Sequence, residues 1–153
     1  MTTMTQEQID SMRKLWEEHQ PNLGSAGEPF YTLMKFEGER NLGEIFAYPG
    51  VTLSFGRQGM VVPLFPTEEI ARECESAIRE SDPEWRVVGV SEAFLEAVLA
   101  LITYQEITLV IGVSPSKSIV CHTDKVPELV ENMREHGFSE DLLASAPAES
   151  EQN

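Results

Sequence analysis

The run Glu106 to Val113 constrains this chain most: it is nearly all apolar or β-branched, without the alternation of a half-exposed strand. Such a strand presents apolar side chains on both sides, so both faces of its sheet must be covered. Just before it, Phe94, Leu95, Val98, Leu99 and Ile102 recur at helical spacing and form a broad apolar stripe. A buried strand beside an apolar helix predicts an α/β fold of mixed type, a sheet with helices packed on it. The 153 residues suffice for one domain. A chain of this size buries about two thirds of its unfolded surface and folds without disulfide or metal.

The remaining pattern fills in this frame. Thr5 caps a first helix, and Gln8 three residues later completes a capping box. Ile9, Met12, Leu15 and Trp16 follow at helical spacing, Trp16 on the apolar side, and Pro21 ends the helix. Phe30 to Phe36 reads as a strand, and Gly38 to Gly50, polar with three glycines, as a long connection. Val51 to Phe55 and Met60 to Phe65 form a hairpin across the turn Gly56 to Gly59. Thr67 caps a second helix, with Glu68 and Glu69 at its positive end and Ile70, Ala71, Cys74, Ala77 and Ile78 as the buried face. Asp82-Pro83 breaks it. Arg86 to Val90 is a short strand, and Ser91 caps the third helix.

After the strand Glu106 to Val113, Ser114-Pro115-Ser116 turns the chain toward a hairpin partner, Ser118 to Cys121. Thr123 or Asp124 opens a last helix with Val126, Leu129, Val130 and Met133 inward and Gly137 as its C-terminal cap. Ser139 to Leu143 adds a helical turn. The expected order is α-β-β-β-α-β-α-β-β-α, a single mixed sheet of five to six strands, with one domain over residues 1–145 and an acidic, disordered tail over 146–153.

Charge is the second constraint. The net charge is −15, with 26 acidic and 11 basic side chains. Binding phosphates requires clustered Lys and Arg, so neither a nucleic acid nor an anionic membrane is expected as a partner. No run of 18 apolar residues exists, and Met1 to Asp10 is polar, so neither a membrane span nor a secretory signal is expected. The expected setting is the cytoplasm, with Cys74 and Cys121 as free thiols.

The acid is unevenly spread. Residues 29–66 and 105–122 are neutral, while 67–104 carry nine acidic against three basic residues and 123–153 carry eight against two. The helices and tail are acidic and the strands are not. Two readings follow: solvated helix faces that keep the protein soluble, or a negative surface that docks a basic protein. Under the second, the contact residues are Glu68, Glu69, Glu73 and Glu80 on one helix and Glu128, Glu131 and Glu135 on another. Trp85, just before a strand, is a partly exposed anchor.

Catalytic chemistry finds little footing. Ser54, Ser114, Ser116 and Ser118 lack the Gly-x-Ser-x-Gly elbow of an activated serine. Gly24 with Gly27, and Gly56 with Gly59, lack the context of a phosphate-cradling loop. His19 and His136 lie near helix ends, where an imidazolium suits the dipole. Cys121 and His122 are adjacent on an extended segment and point to opposite faces, and no metal-ligand spacing occurs. No cofactor or metal is expected. A pocket converging on Cys121, His122 and Ser114 is the arrangement that would point to an enzyme.

The stretch Gly59-Met60-Val61-Val62-Pro63-Leu64-Phe65-Pro66-Thr67-Glu68-Glu69-Ile70-Ala71 resembles the N-terminal domain of the SseB (enhanced serine sensitivity protein) family. In that family a strand ends in an apolar-Pro-apolar-Phe step before an acidic helix start. The resemblance continues through Val87-Val88-Gly89-Val90-Ser91, the following helix, the hydrophobic strand and the turn at Ser114-Pro115, and covers roughly residues 30 to 120. It implies an α/β domain of the bacterial cytoplasm without established catalytic residues. In size, acidity and element order the chain is also similar to type III secretion chaperones, small cytoplasmic α/β dimers. The expected function is a non-catalytic interaction or regulatory module, as monomer or homodimer. The alternatives are a chaperone or immunity-type inhibitor of one basic protein, and a small enzyme with an unrecognised site.

Overall fold

A computed structural model describes residues 5–52, 58–104, 107–114 and 117–138. The elements are α1 (Gln6–His19), β1 (Tyr31–Glu37), β2 (Arg40–Ile45), β3 (Tyr48–Thr52), β4 (Gln58–Leu64), α2 (Glu68–Arg79), β5 (Trp85–Gly89), α3 (Glu92–Tyr104), β6 (Thr108–Ser114), β7 (Lys117–Val120), a 3₁₀ turn (Thr123–Lys125) and α4 (Val126–His136). The class is mixed α/β, as the buried-strand pattern requires. The first residues of the expected turn at Gly56, Pro115-Ser116, the helical turn Ser139 to Leu143 and the tail lie outside the described residues.

The sheet differs from the single one expected. The strands form a three-stranded sheet, β2-β1-β5, and a four-stranded sheet, β3-β4-β6-β7. The two are joined at one corner. Tyr31 and Phe65 exchange both backbone hydrogen bonds (2.8 Å each), and the buried Thr32 hydroxyl donates to the Pro63 carbonyl (3.2 Å). That second link also accommodates Pro63 inside β4. Its carbonyl meets the Thr32 hydroxyl from outside the β4–β6 ladder, so its missing N–H disrupts no strand pairing.

The segment from Arg40 to Thr52 makes the corner. Its first half pairs with β1 (Met34 opposite Ile45) and its second half with β4 (Tyr48 opposite Val61). Such sheet-switching strands need a local bend. The switch falls at Phe46-Ala47, between the two strands; Gly43, with φ +84°, sits earlier, at the register shift within the β1–β2 pairing. Most of the residues that read as a long connection belong to two strands, with Gly38-Glu39 as the turn between β1 and β2. The expected antiparallel pairing is present as β3 with β4, its first strand starting at Tyr48 in place of Val51 and Leu53 to Arg57 lying outside the described residues; β6 is central, parallel to β4 and antiparallel to β7.

Strand alternation divides the core. Met34, Phe36, Val88 and Val90 point to the face covered by α1, α3 and α4, where they join Phe94, Val98, Ile102, Val126 and Val130 in the main cluster. Leu33 and Val87 point the other way and pack with Phe65, Ala71 and Cys74 beneath α2. The helix caps match the sequence: Thr5 forms the full capping box with Gln8, and Thr67 and Ser91 accept from Ile70 and Phe94. Gly137, with φ +73°, ends α4 by donating to the Met133 carbonyl.

The outer edge of β5 is closed by side chains. Ser25 exchanges hydrogen bonds with Gly89 on that edge, and the loop lies so close that a Cβ at Gly89 would fall on the Ala26–Gly27 peptide. Further along, Glu75 Oε2 accepts the Val87 N–H at 2.9 Å. Glu75 is buried and Ala77 exposed, the reverse of the expected buried face. The inward stripe runs Ala71, Cys74, Glu75, Ile78, the i, i+3, i+4, i+7 rule, and the carboxylate is held there by the strand edge it caps.

Candidate functional site

Helices α3 and α4 run antiparallel across the main core. The Thr103 and Thr123 hydroxyls meet at 3.1 Å where α3 ends and the 3₁₀ turn leads into α4. At the other end Arg134 Nη2 of α4 pairs with Glu92 Oε2 of α3 at 3.3 Å. Between these two ties the helices part, leaving an open cleft of about 440 Å³.

The local sequence explains its shape. The α3 stripe is wider than the core beneath it needs: Phe94 and Val98 are fully buried, while Leu95 and Leu99 lie on the flank toward α4. On α4, Val126, Pro127 and Val130 supply the opposite flank. Leu95, Val126 and Val130 are buried members of the main core, so the apolar surface the cleft presents comes mainly from Leu99 and the exposed Pro127. Glu28, Glu92, Glu96, Glu131 and Arg134 make the rim. Two of the four carboxylates are engaged: Glu28 Oε1 accepts the Glu92 N–H at 3.0 Å, and Glu92 holds Arg134. Glu96 and Glu131 are exposed and have no ion-pair or hydrogen-bond partner among the described residues. The cleft thus offers apolar contact below and two unneutralised carboxylates above.

The acidic residues picked from sequence separate into two regions on opposite faces of the sheet. On α2, Glu68 is paired with Arg72 (2.9 Å), which also reaches Glu75 (3.5 Å). The Glu68 hydrogen bond, reinforced by the Glu75 charge, raises the Arg72 pKa further above its ordinary value. Arg86 Nε lies 3.8 Å from Glu75 Oε2, an ion pair too long to be a hydrogen bond, and this buried nitrogen finds no hydrogen-bond partner. Glu69, Glu73 and Glu80 are exposed on the outer side of α2. Trp85 is half-buried and engaged: its indole N–H donates to Asp82 (2.8 Å) and its ring meets Phe46 edge-on at 5.2 Å. Beside it, the Lys35 ammonium is paired with Glu84 at 3.2 Å, and this hydrogen bond raises its pKa.

On α4, Glu128, Glu131 and Glu135 are all exposed; Glu131 alone lines the cleft, and Glu135 approaches His136 at 3.6 Å. Leu95 and Leu99 were read from sequence as part of the apolar stripe of α3, but Glu28, Glu92, Glu96 and Arg134 were not singled out. The signal was present on α3, where Glu92 and Glu96 run alongside Leu95 and Leu99, each pair four residues apart. The cleft shares no residue with Cys121 or His122. Cys121 is buried in the main core, His122 is exposed at the start of the 3₁₀ turn, and the Ser114 side chain lies outside the described residues. Cys74 and Cys121 are not joined in a disulfide, and one lies in each core cluster. Burial raises the Cys74 thiol pKa, and the Glu73 charge adds to the shift.

No group of three or more His, Cys, Asp or Glu residues among those described is placed to hold a metal ion. No helix among them is long and apolar enough to cross a membrane. No protein-family model matches the chain, and no curated protein is similar to it.

Proposed function

We propose that this chain is a non-catalytic interaction module, SseB-like and cytoplasmic, that holds a basic protein partner in the α3–α4 cleft. One observation carries the reading: Glu96 and Glu131 stand without partners among the described residues over a cleft whose accessible apolar lining is Leu99 and Pro127, whereas Glu68 and Glu75 on α2 are taken up by the protein's own arginines. A carboxylate beside apolar surface gains more from an incoming cation than one in open water, because the site is less screened once covered. The net charge of −15 then steers a basic partner toward the molecule from a distance.

The test is an amide chemical-shift titration with a lysine- and leucine-rich peptide, at about 0.01 M and about 1 M salt, where the screening length falls from about 30 to about 3 Å. The expected result is perturbation concentrated on α3 and α4 at low salt and lost at high salt. Perturbation spread equally over α2, or none at low salt, would refute the reading.

A further inference from the structure

We infer that helix α1 is a releasable strap: it opens as a unit about Gln20-Pro21 while the rest of the fold stays closed, and its opening uncovers the outer edge of β2 together with the Phe94 ring. The ground for it is a mismatch between what α1 covers and how little of it is buried. Among the described helices, α1 alone has no buried residue. It lies against α3, and its apolar stripe, Ile9, Met12, Leu15 and Trp16, is only half-buried. A helix that buries so little apolar surface belongs to the low-stability end of local opening.

Yet α1 carries the groups that close β2. Phe36, opposite Asn41, gives its N–H to the Glu84 carbonyl on the β5 side, so Asn41 turns its own carbonyl outward, and Gly43 two residues on does the same. The Trp16 indole N–H donates to the Gly43 carbonyl at 3.2 Å, and the Gln20 side-chain amide donates to the Asn41 carbonyl at 3.1 Å. The fit is close: a Cβ at Gly43 would stand 3.1 Å from Gln20 Oε1. The Trp16 ring also packs on the fully buried Phe94, with centroids 4.7 Å apart. One side chain thus shields a core ring and satisfies an edge carbonyl, and a single movement removes both.

The hinge follows from where the chain is tied. Gln20, the last cap residue of α1, has already left the helical conformation, with ψ 126°. Beyond it the chain is fixed: Pro21 is buried, its carbonyl accepts the Asn41 side-chain amide at 2.7 Å, and Ser25 exchanges hydrogen bonds with Gly89. The other edge of the same sheet is closed differently. Glu75, which caps β5, is itself buried and lies on a helix that also buries Ala71 and Cys74. Of the two edges, β2 is the one whose seal can leave without unpacking a buried side chain of its own helix.

The experiment is amide hydrogen exchange on the full chain at neutral pH, compared with Trp16→Phe, which keeps a ring on Phe94 and removes the indole donor. The expected result is one common protection factor for the amides from Asp10 to His19, at least about a hundredfold below those of β1 and α3. Trp16→Phe should lower it by about a further fivefold and leave β1 and α3 unchanged. Gln20→Ala should act in the same way, and serves if Trp16→Phe does not fold. Protection of α1 equal to that of β1 would overturn the strap, because α1 would then open only with the whole fold. Protection that climbs step by step from Gln6 and ignores both substitutions would also overturn it, because that is the fraying of a helix end.

Discussion

The two faces of the sheet carry similar acidity and use it differently. Beneath α2, a small apolar cluster is completed by a buried carboxylate: Glu75 caps the Val87 N–H and is flanked by Arg72 and Arg86. Those charges close the fold. On the opposite face, the larger cluster does the stabilising with apolar side chains alone, Leu95, Val126 and Val130 among them, and the carboxylates of the α3–α4 rim are left at the surface above it. Both faces carry exposed acid, Glu69, Glu73 and Glu80 on α2 and Glu96 and Glu131 beside the cleft. The difference is what each carboxylate stands beside, and that decides whether it serves the fold or faces a partner.

The contrast can be broken most sharply by truncating the core on each side. Phe94 is fully buried and its ring packs 4.7 Å from that of Trp16, so Phe94→Ala should cost about 3–5 kcal/mol in urea unfolding. Cys74→Ala, beneath α2, should cost about 1 kcal/mol. Comparable losses would mean the two clusters carry equal weight.

Next in size is Glu75→Ala, which strips the Val87 N–H of its acceptor and leaves Arg86 without its ion-pair partner; unfolding should be easier by about 2 kcal/mol. Glu75→Gln keeps an acceptor oxygen and should recover part of that loss. If both variants unfold like the parent, the carboxylate does not close this edge.

The smallest effect is a pH dependence confined to the α2 side. Burial, and then the Glu73 charge, raise the Cys74 thiol pKa in the folded protein. An unfolded thiol releases its proton near pH 8.5. Above that pH the unfolded chain binds fewer protons than the folded one, so stability should fall with rising pH until the folded thiol also ionises. Cys74→Ala should flatten this alkaline slope in unfolding measured from neutral to alkaline pH. An unchanged slope would place its origin elsewhere.

Much of the fold was legible because local rules governed it. The Thr5, Thr67 and Ser91 caps, the Gly137 terminus and the buried run ending at Val113 each follow from a few neighbouring residues. Strand β2 was hidden because Gly43 bends it through positive φ and breaks the alternation that marks a strand. The joining of the two sheets depends on Tyr31 meeting Phe65, a pairing no local pattern announces. Glu75 was hidden because composition favours Ala77 at the interface, while the spacing that places Glu75 inward pairs it with a strand edge twelve residues on. Of the cleft, the acidic α4 face was visible through Glu131 and the Leu95–Leu99 stripe through α3, but their juxtaposition is tertiary.

The most direct measurement is a pair of matched charge reversals read with the lysine- and leucine-rich peptide. Glu96→Lys with Glu131→Lys alters the cleft; Glu69→Lys with Glu73→Lys alters the exposed side of α2 by the same number of charges. If the apolar lining beside the acid makes the site, the cleft pair should weaken binding at least about tenfold more than the α2 pair. Equal weakening by both would show that the peptide senses only net charge, and that the α3–α4 cleft is not where a partner docks.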